Sequence, residues 1–150
     1  MNKPLSQWRP ETMPALVISR LGKLLMKRMD DSLKSVGVTT AQLPVLVALK
    51  NGERLTQKAL AEFADVEQPS MAQLLARMER DNLIQREPSP TDGRSSLIAL
   101  TDHAHGLLEP GRDALRLLDA EICADLTPKE HATLSTLLAR VAARIEKTAD

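Results

Sequence analysis

Residues 55–101 read LTQKALAEFADVEQPSMAQLLARMERDNLIQREPSPTDGRSSLIALT, and this stretch decides the fold. Thr56 offers a hydroxyl to cap a helix that carries Leu60, Ala61 and Phe63 toward a core. The chain then turns between Ala64 and Glu67, where Asp65 suits a tight turn. A second helix runs from about Gln68 to Asp81, with Pro69 tolerated in its first turn. Met71, Leu74, Leu75 and Met78 recur at the i, i+3, i+4, i+7 spacing of one buried face, and Ser70, Gln73, Arg77 and Arg80 make its other side polar.

Asn82 stands where a helix end needs a residue that accepts a left-handed backbone, and Leu83-Ile84-Gln85-Arg86 follows as a short strand. A second strand returns over Ser96 to Leu100. Between them, Pro88, Pro90 and Gly93 prevent helix and favour an exposed loop with Asp92 and Arg94 at its tip. Helix, tight turn, helix and two-stranded ribbon, in that order, are a winged helix-turn-helix.

Long helices flank this segment. Residues 1–11 are polar and contain proline, an arm in which Trp8 can pack on a partner subunit. Thr12 offers a cap with Pro14 just inside the next helix, where Val17, Leu21, Leu24, Leu25, Met29 and Leu33 form an apolar stripe ending at Gly37. Apolar positions from Leu16 to Leu33 read as core rather than as ligand walls. Thr39-Thr40-Ala41-Gln42 is a capping box for a helix through Leu43, Val45, Leu46 and Leu49 to the Asn51-Gly52 stop, its start loosened by Pro44. Thr101 can cap a helix from Asp102, which Gly106, Pro110 and Gly111 should interrupt, with a kink near Pro110, before Leu115, Leu118 and Ile122 continue in phase. Thr127-Pro128-Lys129-Glu130 is a second capping box, and Leu134, Leu137, Leu138, Val141 and Ile145 line the last helix, which should fray from Thr148 to Asp150. These apolar faces exceed what a small winged core covers, so two subunits should interleave their helices.

Composition narrows the function. The 150 residues are 43% apolar and 27% charged, enough for one domain with a core. No apolar run can span a bilayer and no leader is evident, so the reading is a cytoplasmic protein without membrane association. One cysteine excludes an internal disulfide framework. With one Trp, one Phe and no Tyr, stacking readers of single strands are disfavoured, whereas a duplex reader that inserts a helix needs no aromatics. Lys plus Arg equals Asp plus Glu, 20 each; residues 1–36 hold seven basic and three acidic residues, and residues 53–101 hold six and eight. Attraction to DNA must therefore come from where cations stand, with Glu62, Asp65, Glu79 and Asp81 away from the groove.

The helix and strand VEQPSMAQLLARMERDNLI, followed by the wing and return PSPTDGRSSLIALT, resemble the DNA-binding core of MarR-family transcriptional regulators, particularly the SlyA-like branch. The family's wing pattern is Asp, any residue, Arg, then an apolar strand ending Leu-Thr; Asp92, Arg94, Leu100 and Thr101 match it. Val38 stands for the usual Leu before Thr39, many SlyA-like proteins have Arg where Gln73 stands, and Gly93 replaces a basic or bulky residue. The expected fold is mostly α with a small β-hairpin wing: one domain over 1–150, with 38–101 as the DNA-binding part and 12–37 and 102–147 as long dimerisation helices. The resemblance implies a homodimeric repressor of a pseudo-palindromic operator, released by an anionic or phenolic aromatic effector whose site cannot be assigned from the sequence. It implies no enzyme and no cofactor.

Gln68, Pro69, Ser70 and Gln73 lie toward the groove-entering end of the second helix, where Gln can address adenine edges and Ser a base or phosphate. Taken alone, they are also what a solvated helix face looks like. Arg77 suits a phosphate clamp or a partner for Asp92. By resemblance, Asp92 orients the wing and Arg94 enters a narrow minor groove. Cys123 reads as a structural thiol, with redox sensing as the alternative, since redox members of the family carry their cysteine near the first helix. His103 and His105 point to different helix faces, and with His131 they complete no tetrahedral metal site. No glycine-rich phosphate cradle or nucleophile elbow suggests an enzyme. A helical interaction module without DNA would suit the neutral charge but gives the wing no purpose.

Overall fold

A computed structural model of the protein describes residues 4–149; the first three residues of the expected N-terminal arm and the last residue of the expected frayed end lie outside the described residues. Six α-helices follow in order among the described residues: α1 Pro14–Lys34, α2 Leu43–Ala48, α3 Gln57–Ala64, α4 Gln68–Arg80, α5 Asp102–Ile122 and α6 Pro128–Thr148. Strands β1 Ile84–Pro88 and β2 Ser96–Leu100 lie between α4 and α5 and pair antiparallel, with Ile84 opposite Leu100 and Pro88 opposite Ser96. The chain divides into two compact units, residues 1–115 and 116–150.

In the first unit the core gathers around the winged segment. Leu33, Val45, Leu46, Leu49, Leu60, Met71, Leu75, Met78 and Ile98 are buried together, with Leu107, Leu108, Ala114 and Leu115 of α5 packed against them. Leu33 is the only buried residue of α1; Leu25 and Met29 are half-buried, while Leu16, Val17, Leu21 and Leu24 are exposed. Most of the α1 stripe is therefore not core within this chain. The helix ends as its sequence requires: Gly37 has φ +89°, and its amide reaches back to the Leu33 carbonyl at 3.1 Å.

Several starts differ from expectation. Thr12 closes a 3-10 turn, its hydroxyl donating to Arg9 O at 2.8 Å, and Met13 occupies the position before α1. Pro14, which has no amide to satisfy, opens the helix without a side-chain cap. At α2 the Thr39 amide donates to Gln42 Oε1 at 2.9 Å, and residues Thr40–Gln42 form a 3-10 turn ahead of Leu43, which fits the loosening expected from Pro44. Asp30 of α1 accepts the Thr40 amide at 2.8 Å and ties the two helices together.

Two further corrections concern α5 and β1. α5 is one uninterrupted helix of 21 residues with Pro110 inside it. Burial of Ala104 and the packing of its leucines on the core outweigh the one hydrogen bond that Pro110 cannot donate. Pro88, expected in the loop, is the last residue of β1. At the end of a two-stranded ribbon a residue without an amide donor is tolerated.

The second unit contains the end of α5, a turn and α6. The Thr127 hydroxyl accepts the Glu130 amide at 3.2 Å while Glu130 Oε2 accepts the Thr127 amide at 2.8 Å, the reciprocal box read from the sequence. Helix α6 has no buried residue, and Leu134, Leu137, Leu138, Val141 and Ile145 are all exposed. Among the described residues no helix is long and apolar enough to cross a membrane.

Candidate nucleic-acid interface

Helix α3 starts where Thr56 Oγ1 accepts the Ala59 amide at 3.2 Å. It stops at Asp65, whose φ of 52° and ψ of 49° reverse the chain in the left-handed region. Leu60 and Ala61 enter the core as expected. Phe63 does not: it is 56% exposed, and a helix of 8 residues fills its side of the core with the two smaller side chains.

Helix α4 hangs from that core by Met71, Leu75 and Met78, each fully buried, with Leu74 half-buried at the edge. Burying three large apolar side chains at about 1.5–3 kcal/mol apiece fixes which face looks outward. The outward residues include Gln68, Pro69, Ser70, Gln73 and Arg77, all exposed. No side chain caps the N-terminus of α4, and Pro69 stands in its first turn. The remaining first-turn amides are thus free for an anion.

The ribbon is anchored at several points. Asn82 (φ 58°) turns the chain out of α4, and the Leu83 amide bonds Met78 O at 2.8 Å. Thr101 is nearly buried; its hydroxyl donates to Asn82 O at 2.7 Å and accepts the Ala104 amide at 3.1 Å, which joins the end of α4, the end of β2 and the start of α5. Sequence reasoning missed a third contributor: Leu55 bridges Ile98 with reciprocal amide bonds of 3.1 and 2.7 Å. A single residue in extended pairing carries no periodic signal.

At the wing tip Asp92 Oδ1 accepts the Arg94 amide at 3.0 Å, and the Ser95 amide bonds Asp92 O at 3.2 Å. Asp92 thus shapes the backbone beside the exposed Arg94. Among the described residues Asp92 Oδ1 is engaged by the Arg94 amide rather than by Arg77.

Internal pairing changes the electrostatic balance. Arg54 pairs with Glu87, Arg86 with Glu79 at 3.0 Å, and Arg80 with Asp81 at 3.5 Å. The Arg54 guanidinium holds the Glu87 carboxyl below its ordinary range by hydrogen bonding, and the pair ties β1 to the loop before α3. Among the described residues of the winged segment, the cations left without an acidic partner are Lys58, Arg77 and Arg94, all exposed. Two of them stand on α4 and on the wing.

The histidines give a different result. His131 does not join His103 and His105; it comes together with Asp119 and Cys123, a mixed ligand set that the sequence reading overlooked. Asp119 and Cys123 are four residues apart on one helical face, but only the turn between α5 and α6 brings His131 to them.

The comparisons agree with this geometry. A sequence profile of the MarR family matches residues 36–95. Over 117 residues the chain is 31% identical to an uncharacterized HTH-type transcriptional regulator of Mycobacterium bovis, covering 78% of this chain and 79% of that one. The fold is similar to a probable transcriptional regulator from Pseudomonas aeruginosa, with a TM-score of 0.80, 26% identity and coverage of 89% and 99%. It is also similar to a single-site mutant of MarR from E. coli complexed with operator DNA, with a TM-score of 0.77, 26% identity and coverage of 87% and 95%.

Proposed function

The chain belongs to the MarR family, and from that premise we propose that it is a homodimeric, sequence-specific regulator of transcription that binds a pseudo-palindromic duplex operator. Residues 38–101 form the DNA-binding part and residues 12–37 and 102–147 the dimerisation part. The observation that carries the reading is the pairing pattern: α4 and the wing keep Arg77 and Arg94 unpaired while neighbouring arginines are bound to acids.

In this reading α4 enters the major groove with Gln68, Pro69, Ser70 and Gln73 foremost, and Arg77 holds a phosphate. Asp92 sets the wing, and Arg94 enters the adjacent minor groove, whose negative potential retains it. The similarity to an E. coli MarR variant complexed with operator DNA supports duplex binding, and the family wing pattern at Asp92, Arg94, Leu100 and Thr101 supports the wing assignment. The relatives are transcriptional regulators, so no catalytic role is assigned.

The regulator acts as a repressor in the cytoplasm. An aromatic or anionic effector releases it by favouring a dimer whose recognition helices are wrongly spaced. Support for the effector comes from family resemblance alone.

The test is fluorescence anisotropy against duplexes tiled across the DNA upstream of the protein's own gene, at two salt concentrations. The expected result is saturable, salt-sensitive binding to one tile, weakened about tenfold or more by Arg94→Ala, with the salt slope reduced by about one. Equal binding by the variant would discard the wing assignment. Duplex binding that is insensitive to salt would discard the reading itself.

A further inference from the structure

Cys123, the only cysteine of the chain, does not stand alone. It follows the last residue of α5, four positions after Asp119, so the two side chains share one helical face. The chain then turns, with the Leu126 amide bonding Cys123 O at 3.0 Å, and the capping box fixes the first turn of α6. That turn sets His131, whose amide bonds Thr127 O at 2.9 Å, against the end of α5. The carboxylate, thiol and imidazole offer ligand atoms that all lie within 4.8 Å of one another, and His131 Nε2 already stands 2.9 Å from Asp119 Oδ2.

We propose that Asp119, Cys123 and His131 bind a borderline-soft divalent cation of the zinc class, with the fourth position open to water. The donor set selects the metal. A thiolate with an imidazole suits zinc and its neighbours, whereas magnesium and calcium demand oxygen ligands. Bonds of about 2.0–2.3 Å place tetrahedral ligand atoms roughly 3.5 Å apart. The present separations, from 2.9 Å between His131 and Asp119 up to at most 4.8 Å, bracket that spacing. Asp119 is exposed and Cys123 and His131 are half-buried. Those exposures also leave an entry path from solvent.

A hydrogen-bonded Asp119–His131 pair needs no thiol beside it, and this is the point the experiment addresses. The full-length chain, reduced and stripped of metal, is titrated with cobalt(II) without DNA, so the outcome is independent of the regulatory reading. The expected spectrum has a thiolate-to-cobalt charge-transfer band in the near ultraviolet and intense visible bands of tetrahedral cobalt. Both saturate at one equivalent per chain and are displaced by zinc. Cys123→Ser abolishes the charge-transfer band, and His131→Gln and Asp119→Asn each weaken binding by more than about tenfold, with unchanged far-ultraviolet circular dichroism. Absence of the band in the wild-type protein, its survival in Cys123→Ser, or undiminished affinity in His131→Gln overturns the site.

Discussion

At the scale of single residues, two side chains act on different parts of the wing. Thr101 holds the seam between α4, β2 and α5, because its hydroxyl is used twice while its surroundings are nearly dry. Thr101→Val keeps the shape but leaves Asn82 O and the Ala104 amide without their partner. It should cost about 1–3 kcal/mol of unfolding free energy, read from urea denaturation, and a loss under about 0.5 kcal/mol would show the seam to be redundant. Asp92 acts on conformation instead. Asp92→Ala removes the acceptor for the Arg94 amide, so duplex affinity should fall nearly as far as in Arg94→Ala while the midpoint of urea denaturation stays put. A shift in that midpoint without loss of affinity would reassign Asp92 to stability. Both residues were legible in the sequence, Thr101 as a cap and Asp92 through the wing pattern. Phe63 was misread because a three-residue spacing from Leu60 marks one side of a helix without marking where the buried stripe ends.

At the scale of elements, several helix ends were legible because a chemical reason fixed them, although Thr12 did not cap α1 as its hydroxyl suggested. Gly37, Asp65 and Asn82 take the left-handed backbone, and Thr56 and Thr127 accept the amides they face. What the sequence hid depends on contacts far along the chain: the Leu55–Ile98 bridge, the continuity of α5 through Pro110, and the meeting of Cys123 with His131 across a turn. The capping box of α6 also has a pH signature. Hydrogen bonds from the Thr127 amide and side chain hold the Glu130 carboxyl below its ordinary range, the amide bond being the larger effect. The folded-state pKa is thus lower than the unfolded one. The box contributes fully above the ordinary glutamate range, and that contribution disappears as pH falls through the lowered folded value. Amide exchange in the first turn of α6, expressed as protection over the intrinsic rate, should fall on acidification in the wild type and stay flat across the same range in Glu130→Gln. Parallel pH dependence in both proteins would place the sensitivity elsewhere.

At the scale of the whole molecule, the proposed dimer accounts for apolar surface that the chain leaves exposed. Leu134, Leu137, Leu138, Val141 and Ile145 recur along one side of α6 at exposures of 40–62%, and α1 carries Leu16, Val17, Leu21 and Leu24 in the same condition. In the proposed dimer, the partner subunit covers these stripes, which have the periodicity of a buried face without burial in their own chain. The α6 register then permits a test that leaves the winged segment intact. Leu137→Glu places a carboxylate in the middle of that side, where enclosure by a partner would strip it of water without offering a counter-charge. The variant should sediment as a monomer at concentrations where the wild type is a dimer. Its affinity for a full two-half-site operator should drop by at least about a hundredfold, because the second half-site contact is no longer linked to the first. Affinity for an isolated half-site should not change, since no residue of the winged segment is altered. A variant that remains a dimer with wild-type operator affinity would remove α6 from the interface, whereas loss of half-site binding as well would mean that the substitution damages the fold rather than the assembly.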